Sequence, residues 1–334
     1  MIIVMRKNST PQQLLEVEKR IEKHGLTVQI SQGVERTVIG VLGQPTDDLR
    51  EELERVDGVS EVIRVSKPYK LASREFHPES TLVQVGDVVF GGDDVVVMAG
   101  PCAIENERQI IDTAEAVKKA GAGILRGGAF KPRTSPYSFQ GLGLEGLKLL
   151  QSASKQTGLP IVTEIVTPED ADTVANYADI LQIGARNAQN YRLLDAVATT
   201  NKPILLKHGL ATTYEEWLLA AERIMDHGNN NVIMCQRGIR TFESYTRFSL
   251  DLASVPSIKL LSHLPIVVDP SHSSGRYELV IPMALAAVAA GAHGLIVEVH
   301  PEPDQALCDG AQALTFENFN KLMTLVKSVS KSLK

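Results

Sequence analysis

The chain is short of cysteine. Cys102, Cys235 and Cys308 are its only three in 334 residues, too few and too dispersed for a disulfide framework, so a reducing compartment is expected. Long hydrophobic runs are missing as well. The Ala-rich stretch 282–292 falls short of the ~20 residues a membrane-spanning helix needs. The opening Met-Ile-Ile-Val-Met-Arg has neither the cationic leader nor the small-residue cleavage site of a secretion signal. A cytoplasmic protein with no membrane partner is therefore expected. Nor is there an excess of positive charge: a net charge of −6 and a pI near 5.8 argue against nucleic acid as the main partner. Short repeats and low-complexity tracts are absent too.

What is present is ordinary globular material. Hydrophobic residues make up 43% and charged residues 22% of the chain, enough for a sizeable core and too apolar for disorder. A length of 334 residues exceeds a usual domain, whereas a closed α/β barrel takes about 250 residues and leaves room for one small extra module.

Residues 1–65 read as that module. Apolar Ile2–Met5 gives a strand, and Ser9-Thr10-Pro11 supplies helix-start chemistry. Leu14, Val17 and Ile21 then share one helical face, which His24-Gly25 ends. Strands follow at Leu26–Ser31 and Thr37–Leu42, a helix near Thr46–Val56 and a last strand at Val59–Val65. This β-α-β-β-α-β order is the ferredoxin-like arrangement, and it holds no cluster of catalytic residue types. Residues 66–80 read as a polar linker. Val83–Phe90 and Val95–Ala99 either pair as a hairpin or the second opens the next domain.

From residue 81 to 334, short apolar strands alternate with helical segments. The strands fall near 95–99, 123–126, 160–164, 180–183, 203–207, 232–235, 265–268 and 293–298. Eight strand–helix pairs indicate an α/β protein built on a (β/α)₈ TIM barrel.

In such barrels the reacting groups lie in loops at the carboxyl ends of the strands. The second of these loops, 124–141, is the most informative stretch of the chain. Arg126, Lys131 and Arg133 crowd together among Gly and Pro, with no acidic residue between Arg126 and Glu145. Guanidinium and ammonium groups so placed suit phosphate or carboxylate. Arg186, Lys207 and Arg237 follow at other strand ends, giving six cations at one mouth. Their mutual repulsion is tolerable when anionic ligands arrive; two phosphorylated substrates match the number.

A second set is Cys102, His272, Glu298 and Asp309, from strand ends that become neighbours when the barrel closes. A thiolate, an imidazole and two carboxylates suit one divalent transition metal per subunit, Mn²⁺, Fe²⁺, Co²⁺ or Zn²⁺. His300 is the rival ligand. Cys235 is expected inside the barrel, and Cys308 is a neighbour of Asp309 without a role; His208 is also unassigned.

Gly100-Pro101-Cys102, Leu125-Arg126-Gly127-Gly128, Lys131-Pro132-Arg133-Thr134-Ser135, Gln182-Ile183-Gly184-Ala185-Arg186, Asp269-Pro270-Ser271-His272 and Glu298-Val299-His300 together resemble the 3-deoxy-D-arabino-heptulosonate 7-phosphate (DAHP) synthases. The likeness is to the subgroup with an N-terminal ferredoxin-like regulatory domain, and it spans essentially the whole chain. The resemblance implies condensation of phosphoenolpyruvate with erythrose 4-phosphate, the first step of the shikimate pathway. It implies Cys102, His272, Glu298 and Asp309 as metal ligands. Arg126, Lys131, Arg186, Lys207 and Arg237 would form the phosphoenolpyruvate site, and Arg133 and Thr134 the sugar-phosphate site. On that reading Lys131 is the proton donor to the nascent alkoxide, and Glu164 orients the attacking water. A homotetramer and an aromatic amino acid effector, tyrosine or phenylalanine, are implied too, with Thr27, Gln29 and Ser31 on one sheet face available to it.

Two alternatives stand beside this. 3-Deoxy-D-manno-octulosonate 8-phosphate synthase runs related chemistry on arabinose 5-phosphate, and Pro132-Arg133 favours the four-carbon sugar over it. A catalytically silent effector-binding barrel would have no use for the four-residue ligand set.

Overall fold

Thr10 opens the first helix as its sequence context predicts. Its hydroxyl accepts the Gln13 N–H at 3.3 Å while the Gln13 side chain accepts the Thr10 N–H at 2.8 Å, a closed capping box. The structure, a computed structural model, describes residues 1–33, 36–43, 45–63, 68–133 and 135–333. It divides into two compact units, residues 1–80 with 260–263, and residues 81–259 with 264–334.

In the first unit the order is β1 (Ile2–Met5), α1 (Pro11–Lys23), β2 (Thr27–Gln32), β3 (Thr37–Leu42), α2 (Asp47–Glu54) and β4 (Val59–Ile63). The antiparallel sheet runs β2-β3-β1-β4, which is the ferredoxin-like topology. Ile3, Val17, Ile21, Ile39, Leu49 and Leu53 form its core and are all fully buried. Each such side chain contributes about 1.5–3 kcal/mol by leaving water. Residues 68–80 are less polar in effect than their composition suggests: Tyr69, Leu71, Ala72 and Phe76 are buried. The Phe76 ring fills the space over Gly40, where a Cβ would lie 2.3 Å from it.

The second unit opens with a hairpin of its own, β5 (Val83–Val85) and β6 (Val88–Phe90), so Val96–Gly100 pairs elsewhere, as the first barrel strand β7. The barrel continues as α3 (Glu107–Ala120), β8 (Ile124–Arg126), α4 (Leu144–Thr157), β9 (Ile161–Ile165), α5 (Ala171–Ala175), β10 (Ile180–Ile183), α6 (Tyr191–Ala198) and β11 (Ile204–Lys207). Then come α7 (Tyr214–Asp226), β12 (Val232–Gln236), α8 (Ser254–Leu261), β13 (Ile266–Val268), α9 (Pro270–Ser274), α10 (Tyr277–Ala289), β14 (Gly294–Glu298) and α11 (Phe316–Ser332). β7 to β14 close into one parallel barrel, as the alternation predicted.

Met98, Ile124, Val162, Ile180, Leu205, Ile233, Cys235 and Ile296 fill the interior together with Val83, Val85 and Phe90 of the hairpin. Cys235 therefore sits in the core, where the sequence put it. The hairpin lies where the strands begin, its Gly86 and Gly91 against Pro160 and Pro265 just ahead of β9 and β13. The strand carboxyl ends are left to form the mouth. No helix among the described residues is long and apolar enough to cross a membrane.

Candidate active site

The closed barrel delivers the chemistry-bearing residues to one end. Arg126, Lys207 and Glu298 are the last residues of β8, β11 and β14, Arg237 follows β12 directly, and Arg186 lies in the 3-10 turn just after β10. Two glycines permit close approaches there. A Cβ on Gly100 would lie 2.0 Å from the Arg126 carbonyl oxygen, and one on Gly184 would lie 2.0 Å from Glu164 Oε1. Glu164 thus stands in the mouth because residue 184 has no side chain.

Cys102, His272, Glu298 and Asp309 converge, with one donor atom from each lying within 4.8 Å of the others. His272 Nε2 is 3.1 Å from Glu298 Oε1, and Cys102 Sγ is 3.4 Å from Asp309 Oδ2. A layer behind orients these donors. Asp269 Oδ2 accepts from His272 Nδ1 at 2.7 Å, which leaves the Nε2 lone pair facing the cluster. The same Asp269 caps α9 by accepting the His272 N–H at 2.9 Å. Glu298 accepts from Arg126 Nη1 at 2.8 Å and from Gln312 Nε2 at 2.6 Å.

The electrostatics fit a cation. Burial lowers the His272 imidazole, favouring the neutral form that ligates metals. Burial works against charge on Glu298, Asp309 and Asp269, but the imidazole and the cations around them outweigh it. His272 and Arg126 hold Glu298 below the usual carboxylate range. Arg247, His272 and Lys131 hold Asp309 down at about 2. Asp269 is held well below its ordinary value, chiefly by His272 and Lys207. The Cys102 thiol is pushed far up by its contact with Cys308, by burial and by Glu298. A sulfur among carboxylates becomes a thiolate only when a cation joins it, so the donor set suits a borderline-soft divalent ion.

Beside the cluster lies a cavity of about 280 Å³ lined by Lys131, Arg133, Arg186, Lys207, Arg237 and Arg247, with Glu164, His272 and Asp309 also on its wall. Arg237 lies over the Phe248 ring at 4.0 Å, and its Nη1 is buried without a hydrogen-bond partner among the described residues. Burial pushes that guanidinium down to about 10. A cavity wall of cations, one of them a guanidinium with a buried nitrogen left without a partner, suits an anion.

The six cations are not all uncompensated. Arg126 stands one layer deeper, paired with Glu298 at 2.8 Å, and Lys207 is paired with Asp269 at 2.5 Å. Thr134 lies outside the described residues. His300 stays out of the cluster: its Nδ1 accepts the Glu302 N–H at 3.1 Å. His208 is stacked on Trp217 at 4.4 Å and hydrogen bonded at both ring nitrogens. Thr27, Gln29 and Ser31 lie on the edge strand β2, the first exposed and the others half-buried.

Four contributors have no role assigned from the sequence, Asp269 among them although it directly follows β13. Arg247, in the middle of the loop after β12, reaches Asp309 at 3.4 Å. Cys308 Sγ is 3.2 Å from Cys102 Sγ and accepts from Arg133 Nη1 at 2.9 Å. Gln312 is the third. Asp269 alone left a local signal, an Asp three residues ahead of His272 with Pro between, which is an N-cap pattern.

Residues 68–334 match the DAHP synthetase I family, and residues 1–67 match the DAHP synthase ferredoxin-like domain. The chain belongs to the DAHP synthetase I family. Its activity is DAHP synthesis, a transferase step of aromatic biosynthesis. The phospho-2-dehydro-3-deoxyheptonate aldolase of Thermotoga maritima is 52% identical over 333 residues, covering 100% of this chain and 98% of that protein. A crystal structure of the Thermotoga maritima DAHP synthase superposes with a TM-score of 0.80 at 51% identity, over 99% of this chain and 97% of that one. The 2-dehydro-3-deoxyphosphooctonate aldolase of Syntrophotalea carbinolica is also similar, at 33% identity over 75% of this chain and 97% of its own length. The resemblance read from the motifs thus holds, and the full-length likeness separates the two sister families.

Proposed function

We propose that the barrel mouth holds phosphoenolpyruvate and erythrose 4-phosphate side by side and joins them with the help of one divalent metal at Cys102, His272, Glu298 and Asp309. The observation that carries this is the cavity walled by Lys131, Arg133, Arg186, Lys207, Arg237 and Arg247 next to a four-donor cluster.

Lys131, Arg186, Lys207 and Arg237, which line the cavity, neutralise the phosphate and carboxylate of phosphoenolpyruvate with Arg126 one layer behind them, and Arg133 with Thr134 takes the sugar phosphate. Holding both anions in register supplies much of the rate, because the encounter becomes intramolecular. A bound metal acts as a Lewis acid toward the aldehyde of erythrose 4-phosphate. C3 of the enol phosphate attacks that carbon, water adds at C2, and the hemiketal phosphate collapses with C–O cleavage to DAHP and phosphate. Lys131 is placed to give its proton to the nascent alkoxide. Its Nζ lies 3.0 Å from Cys102 Sγ; burial works against its charge, but the sulfurs of Cys102 and Cys308 outweigh that and raise it. Glu164, held by Gln182 Nε2 at 3.2 Å, orients the water.

Phosphate release from phosphoenolpyruvate is expected with erythrose 4-phosphate and a divalent metal, and not with arabinose 5-phosphate in its place. Equal turnover of the five-carbon sugar, or full activity in strong chelator, contradicts the reading. The family resemblance also supports a cytoplasmic homotetramer inhibited by an aromatic amino acid acting through residues 1–65. Deleting that segment is then expected to leave catalysis and abolish inhibition.

A further inference from the structure

Glu105 lies three residues beyond Cys102, in the loop between β7 and α3, and its side chain is 8% exposed. Each of its carboxylate oxygens faces the loop after β14. Oε1 accepts the Leu307 N–H at 2.8 Å, immediately before Cys308 and Asp309. Oε2 is 3.5 Å from His300 Nε2. His300 Nδ1 accepts the Glu302 N–H, and its Nε2 is buried with no hydrogen-bond partner among the described residues, so it is the Leu307 N–H that fixes the Glu105 carboxylate.

The segment that Glu105 holds needs holding. Asp309 sits at φ 53, a left-handed conformation that a non-glycine residue keeps when its surroundings enforce it. The flanking bonds, Ala306 N–H to Pro303 and Gln312 N–H to Asp309, stay inside the loop. Among the described residues the Leu307 N–H is the backbone donor that ties this stretch to another strand end, beside the side-chain contacts of Cys308 with Cys102 and Arg133 and of Asp309 with Arg247. Glu105 is itself fixed, its N–H donating to Gln109 Oε1 at 3.3 Å while Gln109 Nε2 donates to the Ala103 carbonyl at 3.0 Å.

We propose that Glu105 is a positioning residue for the metal centre: it locks the loop carrying Asp309 to the loop carrying Cys102, so that donors from opposite ends of the chain keep one geometry. This rests on reading Cys102 and Asp309 as ligands. Supporting groups behind a metal site, when removed, cost about 10- to 100-fold in metal affinity.

The test is a Mn²⁺ titration of the metal-free full-length chain, followed by the paramagnetic resonance signal of the free ion. Glu105→Ala is expected to weaken Mn²⁺ about 10- to 100-fold. Glu105→Gln keeps an acceptor for the Leu307 N–H and is expected to stay close to the wild type. Phosphoenolpyruvate binding without metal and the Tm of the metal-free protein are expected to stay unchanged in both. Wild-type Mn²⁺ affinity in Glu105→Ala overturns the proposal, as does a parallel fall in Tm and phosphoenolpyruvate binding, which marks a structural role alone. If Glu105→Ala does not fold, Glu105→Asp decides: the shorter carboxylate weakens Mn²⁺ if reach matters, and unchanged affinity overturns the idea. Asp309→Ala separates the two readings. If it binds Mn²⁺ like the wild type, the ligand assignment has failed; if it weakens while Glu105→Ala does not, only the positioning role has.

Discussion

The two units handle charge in opposite ways. In the first, the core under the sheet is apolar and ion pairs such as Arg20–Glu16 stay in solvent, with side chains 37% and 50% exposed. In the barrel mouth, Arg126, Lys207, Arg237, Asp269 and Glu298 are all buried. Burying charge is costly unless it is paired. Arg126 with Glu298 and Lys207 with Asp269 meet that condition, whereas Arg237 retains an unpartnered nitrogen. The difference teaches where selection for binding has overridden selection for stability. The first unit is arranged to fold, and the mouth to receive anions and a cation.

That contrast is breakable. Glu298→Ala is expected to have the largest effect. It removes one of the four clustered donors and strands the Arg126 guanidinium, so the metal-free barrel should lose about 3–5 kcal/mol in denaturant unfolding, along with turnover. A cost below about 1 kcal/mol, the range of exposed pairs, would mean that the mouth is as solvated as the surface.

His263 comes next. In the first unit its ring lies 4.4 Å from that of His77, and its Nε2 donates to the Leu71 carbonyl at 2.7 Å. Burial depresses it from 6.5 to about 4, with His77 and Arg74 acting in the same direction. Protonation then favours the unfolded chain. Stability is full above pH 6.5 and is lost as pH falls toward 4, by about 3 kcal/mol for a shift of that size. Urea unfolding at pH 7 and pH 4.5 should show the loss in the wild type and a smaller one in His263→Asn.

The smallest effect belongs to the solvent-exposed pair. Arg20→Ala should cost less than about 1 kcal/mol and fade with added salt.

The barrel was legible in the sequence because its strands are parallel and buried on both faces. They therefore read as apolar runs, such as Ile204-Leu-Leu-Lys207, with boundaries displaced by about a residue. Strand-end residues were legible for the same reason: a closed barrel sends them all to one mouth. Pairing was not. Glu298 lies far from Arg126 in the chain, and Asp269 far from Lys207, so nothing in their spacing announces that these two cations are already neutralised. Arg247 and Cys308 sit inside irregular loops, where neither period of three to four nor of two marks which way a side chain turns. The stretch 68–80 looked like a linker because Tyr69, Leu71 and Phe76 are scattered among Lys, Arg, Glu and His. Its burial comes from tertiary packing, which local composition does not record.

The central claim is that buried charge in the mouth is kept for ligands. It is tested most directly by thermal unfolding of wild type and Arg237→Met, each with and without phosphoenolpyruvate. The account predicts that Arg237→Met leaves the ligand-free Tm unchanged or raised and largely loses the upward shift with phosphoenolpyruvate. A lowered ligand-free Tm with an undiminished phosphoenolpyruvate shift would contradict it.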